Sequence, residues 1–111
     1  MRRVDSLELK NRSRGDAPLV VIATRRRAPA GDDAVRHLQT ACDEAGVELC
    51  GVDVDDKEQA MADLLDELGV TAVPAALLFS RGVLVERAVT VRDVTAARRL
   101  VGLVAGGARA R

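Results

Sequence analysis

At 111 residues with 48% hydrophobic and 31% charged side chains, the chain is one domain's worth of sequence and not a disordered segment. A chain of this size buries a core without disulfides or metals, and its single aromatic, Phe79, excludes a base-stacking platform for nucleic acid. Its formal net charge is zero, yet the charges are segregated: residues 1–30 carry eight basic and three acidic side chains, residues 31–69 two and twelve, residues 70–111 seven and two. That pattern fits either mutual compensation within the fold or an electrostatically biased docking surface.

The first sixteen residues are polar and mixed, and Val4, Leu7 and Leu9 suit a short edge strand, with a loop over residues 11–16. Residues 18–23, PLVVIA, form a continuous apolar run, the pattern of a strand covered on both faces. After a loop over residues 24–31, Asp32 and Asp33 favour a helix start, and Val35, Leu38, Cys42 and Ala45 recur at helical spacing until Gly46.

Residues 47–54 repeat a strand pattern. Asp55 or Asp56 then suits the cap of a second helix, with Glu58 and Gln59 at capping-box positions. That helix carries Met61, Leu64, Leu65 and Leu68 on one side and ends at Gly69. Val73 and Pro74 precede another apolar run to Phe79, and residues 80–82 suit a hairpin turn before an antiparallel return over 83–89. A last helix is expected over 93–104, with Val94, Ala97, Val101 and Val104 inward and Arg98 and Arg99 outward. The order β-α-β-α-β-β-α predicts an α/β fold: a central mixed sheet flanked by helices on both faces.

In that order the chain resembles the thioredoxin family over most of its length. The most specific stretch is residues 68–82, LGVTAVPAALLFSRG, where a helix end and a Val-Pro step lead into a strand and a glycine turn. The resemblance implies a thioredoxin-like fold with a cis-proline at Val73–Pro74, before the third central strand and facing the loop of residues 27–30. It also likens residues 52–55 to the family's strand that ends in an aspartate. The expected organisation is an N-terminal segment over 1–16, a thioredoxin-like domain over 17–105 and a flexible tail over 106–111.

The departure comes where the family carries Trp-Cys-Gly-Pro-Cys. Here Arg26, Arg27, Ala28, Pro29 and Ala30 stand in those places, and Val21 stands where the family has a buried acid. Dithiol exchange needs an attacking thiolate and a resolving thiol, and arginine and alanine supply neither. The chain's cysteines are Cys42, on a helix, and Cys50, on a strand, with Gly46 reversing the chain between them. About 6 Å of helix and 13 Å of strand separate them from that reversal, too far for the roughly 7 Å Cα spacing of a disulfide. Both read as small buried hydrophobes, and their number and spacing suit no zinc site.

The expected function is a redox-inactive protein-binding module that uses Arg25, Arg26, Arg27, Ala28, Pro29, Ala30, Val73 and Pro74 to hold a protein or extended peptide, acidic ones favoured by the arginines. No catalytic residue, metal or cofactor is expected. The alternative is an unconventional thiol-disulfide oxidoreductase working through Cys42 or Cys50. His37 lacks companions for catalysis or metal binding. Asp53 and Asp55 resemble the Asp-x-Asp pair of haloacid-dehalogenase-type enzymes, but helix capping accounts for such acids. Neither a nucleic acid nor a membrane is an expected partner, a homodimer remains open, and the absence of an apolar leader suggests a cytoplasmic location.

Overall fold

The structure is a computed structural model that describes residues 1–25, 29–55, 58–89 and 91–108. Nine elements follow in chain order: β1 (Arg2–Arg3), α1 (Ser6–Ser13), β2 (Leu19–Thr24), α2 (Pro29–Ala45), β3 (Glu48–Asp53), α3 (Gln59–Glu67), β4 (Ala75–Ser80), β5 (Val83–Ala88) and α4 (Val94–Ala108). The strands form one sheet in the order β1-β3-β2-β4-β5. β1 and β2 run parallel to β3, and β4 is antiparallel to both β2 and β5.

The apolar runs at 19–23 and 75–79 become the two central strands, buried on both faces as such runs require. Strand alternation sorts their side chains into two cores. Val20, Ile22, Ala76 and Leu78 face α2 and α4, where Leu38, Cys42, Ala97 and Val101 meet them. Val21, Ala23, Leu77 and Phe79 face α1 and α3, where Leu9, Met61, Leu64 and Leu65 meet them. Arg81 and Gly82 both have positive φ, 54° and 79°, which is the twist of a two-residue type I′ hairpin between β4 and β5.

The structure corrects the sequence reading at four places. The first is the N-terminal segment, where the strand is confined to Arg2–Arg3 and a helix follows. Asp5 accepts a hydrogen bond from the Glu8 N–H at 2.8 Å, capping α1, and Glu8 pairs with Arg12 one turn on. Val4 and Leu9 are buried but Leu7 is 67% exposed, so the apolar residues do not share a strand face. Second, α2 begins at Pro29 rather than at Asp32 or Asp33. A first-turn proline forgoes only an N–H that has no helical partner, and Asp32 then lies in the first turn.

Third, Asp55 does not cap α3. Glu58 holds the N-cap position without a side-chain cap bond, and Asp56 lies outside the described residues. Fourth, α4 runs to Ala108, past Val104, so residues 106–108 continue the helix and only residues 109–111 lie outside the description. Asp93 starts it by accepting from the Ala96 N–H at 2.8 Å.

Gly69 ends α3 for two reasons. Its φ is +76°, and a Cβ there would fall 1.9 Å from Nη1 of Arg87. That nitrogen donates to the carbonyls of Leu68 and Gly69 at 3.1 and 3.3 Å, so an arginine from β5 closes the C-terminal end of α3.

Candidate functional site

Three strand ends converge at one edge of the sheet. Thr24 at the end of β2 pairs in register with Asp53 at the end of β3, and Ala23 pairs with Ala75 at the start of β4. The chain leaves β2 for β3 on one side and returns from β3 to β4 on the other. Such a switch in winding opens a crevice outside the strand ends, which is where α/β sheets bind ligands. Val54 N–H donates to the Thr24 carbonyl at 3.0 Å, and the first turn of α2 packs Gly31 against the Thr24 side chain.

Pro74 stands at the entry to β4, and the Val73–Pro74 bond is cis. Beside it lies a pocket of about 230 Å³, lined by Arg25, Val54, Leu65, Asp66 and the segment Val70 to Val73. Its wall is mostly apolar, with one cation and one anion at the rim. Arg25 is exposed, and its guanidinium lies 3.7 Å from the Asp55 carboxylate. Asp53 accepts from the Asp55 N–H at 2.9 Å, which turns the chain at the end of β3.

Of the residues singled out in the sequence, Arg25 and Val73 line this pocket, Pro74 follows Val73 into β4, and Pro29 and Ala30 open the first turn of α2. Arg26, Arg27 and Ala28 lie outside the described residues. The sequence reading missed Val54, Leu65, Asp66 and residues 70–72, which build the pocket wall. Residues 70–72 could have been included, because they lead directly into Val73 and Pro74. Leu65 and Asp66 reach the site only through the packing of α3, which sequence spacing does not reveal.

Neither thiol lines this pocket. Cys42 is buried in the core under α2 and α4, and Cys50 in the core under α1 and α3, so the sheet itself stands between them. This is a firmer barrier to a disulfide than chain length. Burial pushes the Cys42 thiol up to about 12, with Asp43 adding to the effect. Burial also pushes Cys50 up, followed by Glu48, and the opposing Arg12 does not cancel them. Thiols so shifted are protonated near neutral pH and poor nucleophiles. His37 is half-buried. Among the described residues, no group of three or more His, Cys, Asp or Glu side chains could hold a metal, and no helix is long and apolar enough to cross a membrane.

No protein-family model matches the sequence, and no curated protein matches it either. Solved structures do. A mutant thioredoxin from Halobacterium salinarum superimposes with a TM-score of 0.79 at 22% identity, over 94% of this chain and 89% of that one. The chain has a thioredoxin-like fold. Thioredoxin O2 from Arabidopsis thaliana, in its oxidised state, gives 0.78 at 18% identity over 93% and 92% of the two chains. Thioredoxin from Malassezia sympodialis gives 0.77 at 19% identity over 95% and 91%. The sequence has no cysteine in the segment of residues 26–30.

Proposed function

We propose that this chain is a redox-inactive, thioredoxin-like binding module that holds an extended peptide or a partner loop in the crevice beside Val73–Pro74. The observation that carries the reading is the position of the two thiols. Both are fully buried, on opposite faces of the sheet, and neither lines the crevice. A dithiol cycle needs two sulfurs that meet, and one that substrate can reach.

The crevice has what a peptide site needs. Its apolar pocket accepts one side chain of the ligand, and the chain entering β4 offers backbone for strand-like pairing. Arg25, together with Arg26 and Arg27 in the same segment, biases the choice towards acidic sequences. The ligand class is therefore an extended segment with an apolar anchor flanked by Asp or Glu. The second reading, a thiol-disulfide oxidoreductase, is favoured by the names of the similar structures, which are thioredoxins.

Insulin disulfide reduction with dithiothreitol as donor separates the two. The binding-module reading expects no acceleration over dithiothreitol alone. An acceleration that disappears in Cys42→Ser or Cys50→Ser overturns it in favour of the oxidoreductase. A library of extended peptides then tests the site: acidic peptides with one large apolar residue are expected to bind, and Arg25→Glu to weaken them about ten-fold, the scale of a rim charge reversed. Equal binding of basic and acidic peptides removes the arginines from the interface.

A further inference from the structure

On the face of the sheet opposite α2 and α4, the helices α1 and α3 lie side by side and leave an open groove of about 350 Å³ between them. One wall presents Leu7 and Lys10 from α1. The other presents Ala60, Asp63, Leu64 and Glu67 from α3. Leu7 is 67% exposed, the most exposed of the large hydrophobic side chains among the described residues. Lys10 makes no ion pair among the described residues, and neither does Glu67. The two walls therefore face each other with opposite charge across a gap that neither side chain closes.

We propose that this groove is the interface of a symmetric homodimer, and that its occupant is a second copy of the same face. The symmetry follows from the charges. A two-fold axis laid along the groove places α1 of one copy over α3 of the other, and the reverse. Each Lys10 then meets Asp63 and Glu67 of its partner, and each Leu7 meets the Ala60–Leu64 wall. A two-fold axis across the groove would stack α1 on α1 and α3 on α3, setting like charges against each other. Isologous pairing of a patch that is complementary to itself is the commonest route to a dimer. Elsewhere the exposed valines of β5, Val83 and Val85, lie beside an irregularity in the β4–β5 ladder and beside Glu86 and Arg87, features that blunt an edge strand.

The interface is small. Helices of 8 and 9 residues are about 12 and 13 Å long, so the patch falls in the weak, transient class. Much of its attraction is between solvent-exposed charges and is screened by salt. The inference is independent of the peptide crevice, which lies at the strand ends and shares none of these residues.

Sedimentation equilibrium of the full chain, from micromolar to millimolar concentration, tests it. A monomer–dimer equilibrium that weakens at high salt is expected. Lys10→Glu and Glu67→Lys are each expected to raise the dissociation constant about ten-fold, because each reversal acts twice in a symmetric dimer. The double variant restores the opposite pairing and is expected to return close to the unaltered chain. Leu7→Ser is expected to weaken the dimer without lowering thermal stability, since the side chain is exposed in the monomer. A chain that stays monomeric throughout overturns the proposal, including one that instead takes up an amphipathic helical peptide in this groove. A dimer whose strength ignores all of these variants also overturns it, by assigning the contact to another face.

Discussion

The two faces of the sheet solve the same packing problem with different residues. Under α2 and α4 the core is rich in alanine, with Ala34, Ala41, Ala76, Ala97 and Ala105 among its members. Under α1 and α3 alanine contributes only Ala23 and Ala75, both from strands, while the helices supply Leu9, Met61, Leu64 and Leu65. Small side chains line the contact between two helices of 17 and 15 residues. The shorter pair, of 8 and 9 residues, reaches the sheet with bulky side chains and does not close on itself. Both faces keep an open groove between their helices, of about 340 Å³ between α2 and α4 and about 350 Å³ between α1 and α3, but the first is walled by small side chains and the Arg98–Glu44 pair and the second by Leu7, Lys10 and Glu67. The faces differ in whether the charges that line the groove are already paired, as Arg98 and Glu44 are, or are not paired among the described residues, as with Lys10 and Glu67.

The largest effect that would sharpen this contrast comes from removing one leucine on each face. Leu38→Ala opens a cavity under the two long helices and is expected to cost about 2–5 kcal/mol of global stability. Leu9 is the one buried side chain of α1. Leu9→Ala is expected to release that helix locally and to cost less globally, because its other ties to the sheet include the partly exposed ion pairs Arg12–Glu48 and Glu8–Arg2, which contribute little. Urea titration gives the global cost, and hydrogen exchange over residues 6–13 gives the local one. Equal global costs would mean that α1 belongs to the cooperative unit and that the faces are not so different.

The cysteines offer a smaller test, one per face. Native-state alkylation is expected to be slow at both and faster at Cys50, whose cover includes the weakly anchored α1. Cys42 adds a pH dependence. A thiol pushed up by burial keeps its proton to higher pH in the fold than in the unfolded chain. Its contribution is complete below the ordinary thiol range and is lost as pH rises from there towards about 12. The unaltered chain is therefore expected to lose stability in alkali more steeply than Cys42→Ala, measured by urea midpoints across that window. Parallel curves would break the link between this thiol and the burial it has under α2 and α4.

Most of this architecture is legible in the sequence, and the reasons for the exceptions are physical. The runs at 18–23 and 75–79 announce doubly covered strands because no polar side chain interrupts them. The glycines at 69 and 82 mark reversals that only positive φ allows. What the sequence hides is α1, whose apolar residues are too few to show a helical period. Its real signal is Asp5 with Glu8 three residues on, a capping pair easily lost in a charged stretch. The start of α2 is hidden too, because the acids at 32 and 33 look more like a beginning than Pro29 does. At the crevice, Pro29, Val73 and Pro74 can be named in advance, since each belongs to a local pattern. Leu65 and Asp66 cannot, because a helix brings them there across the fold. The α1–α3 groove is illegible for the same reason: Lys10 and Glu67 are far apart in sequence and become neighbours only through packing.

The smallest expected effect lies on the alanine-rich face. Arg98 on α4 grips Glu44 on α2 with Nε and Nη2, each donating to a carboxylate oxygen at 2.8 Å. The hydrogen bonds from Arg98 hold the Glu44 carboxyl below the usual carboxylate range. A carboxylate so shifted stabilises the fold above its ordinary pKa, and that contribution fades as pH falls through its lowered value. Both side chains are about half exposed, so solvent screens most of the attraction and the contribution is slight. Glu44→Gln is expected to flatten the acid limb of the stability curve only faintly, and to do so less as salt rises. The contrast with Lys10 is instructive. Both are exposed cations with an acidic neighbour on the adjacent helix, yet of the two only the arginine closes its pair among the described residues. If Glu44→Gln instead cost as much as a core leucine, the packing of that face would rest on the ion pair and not on its alanines.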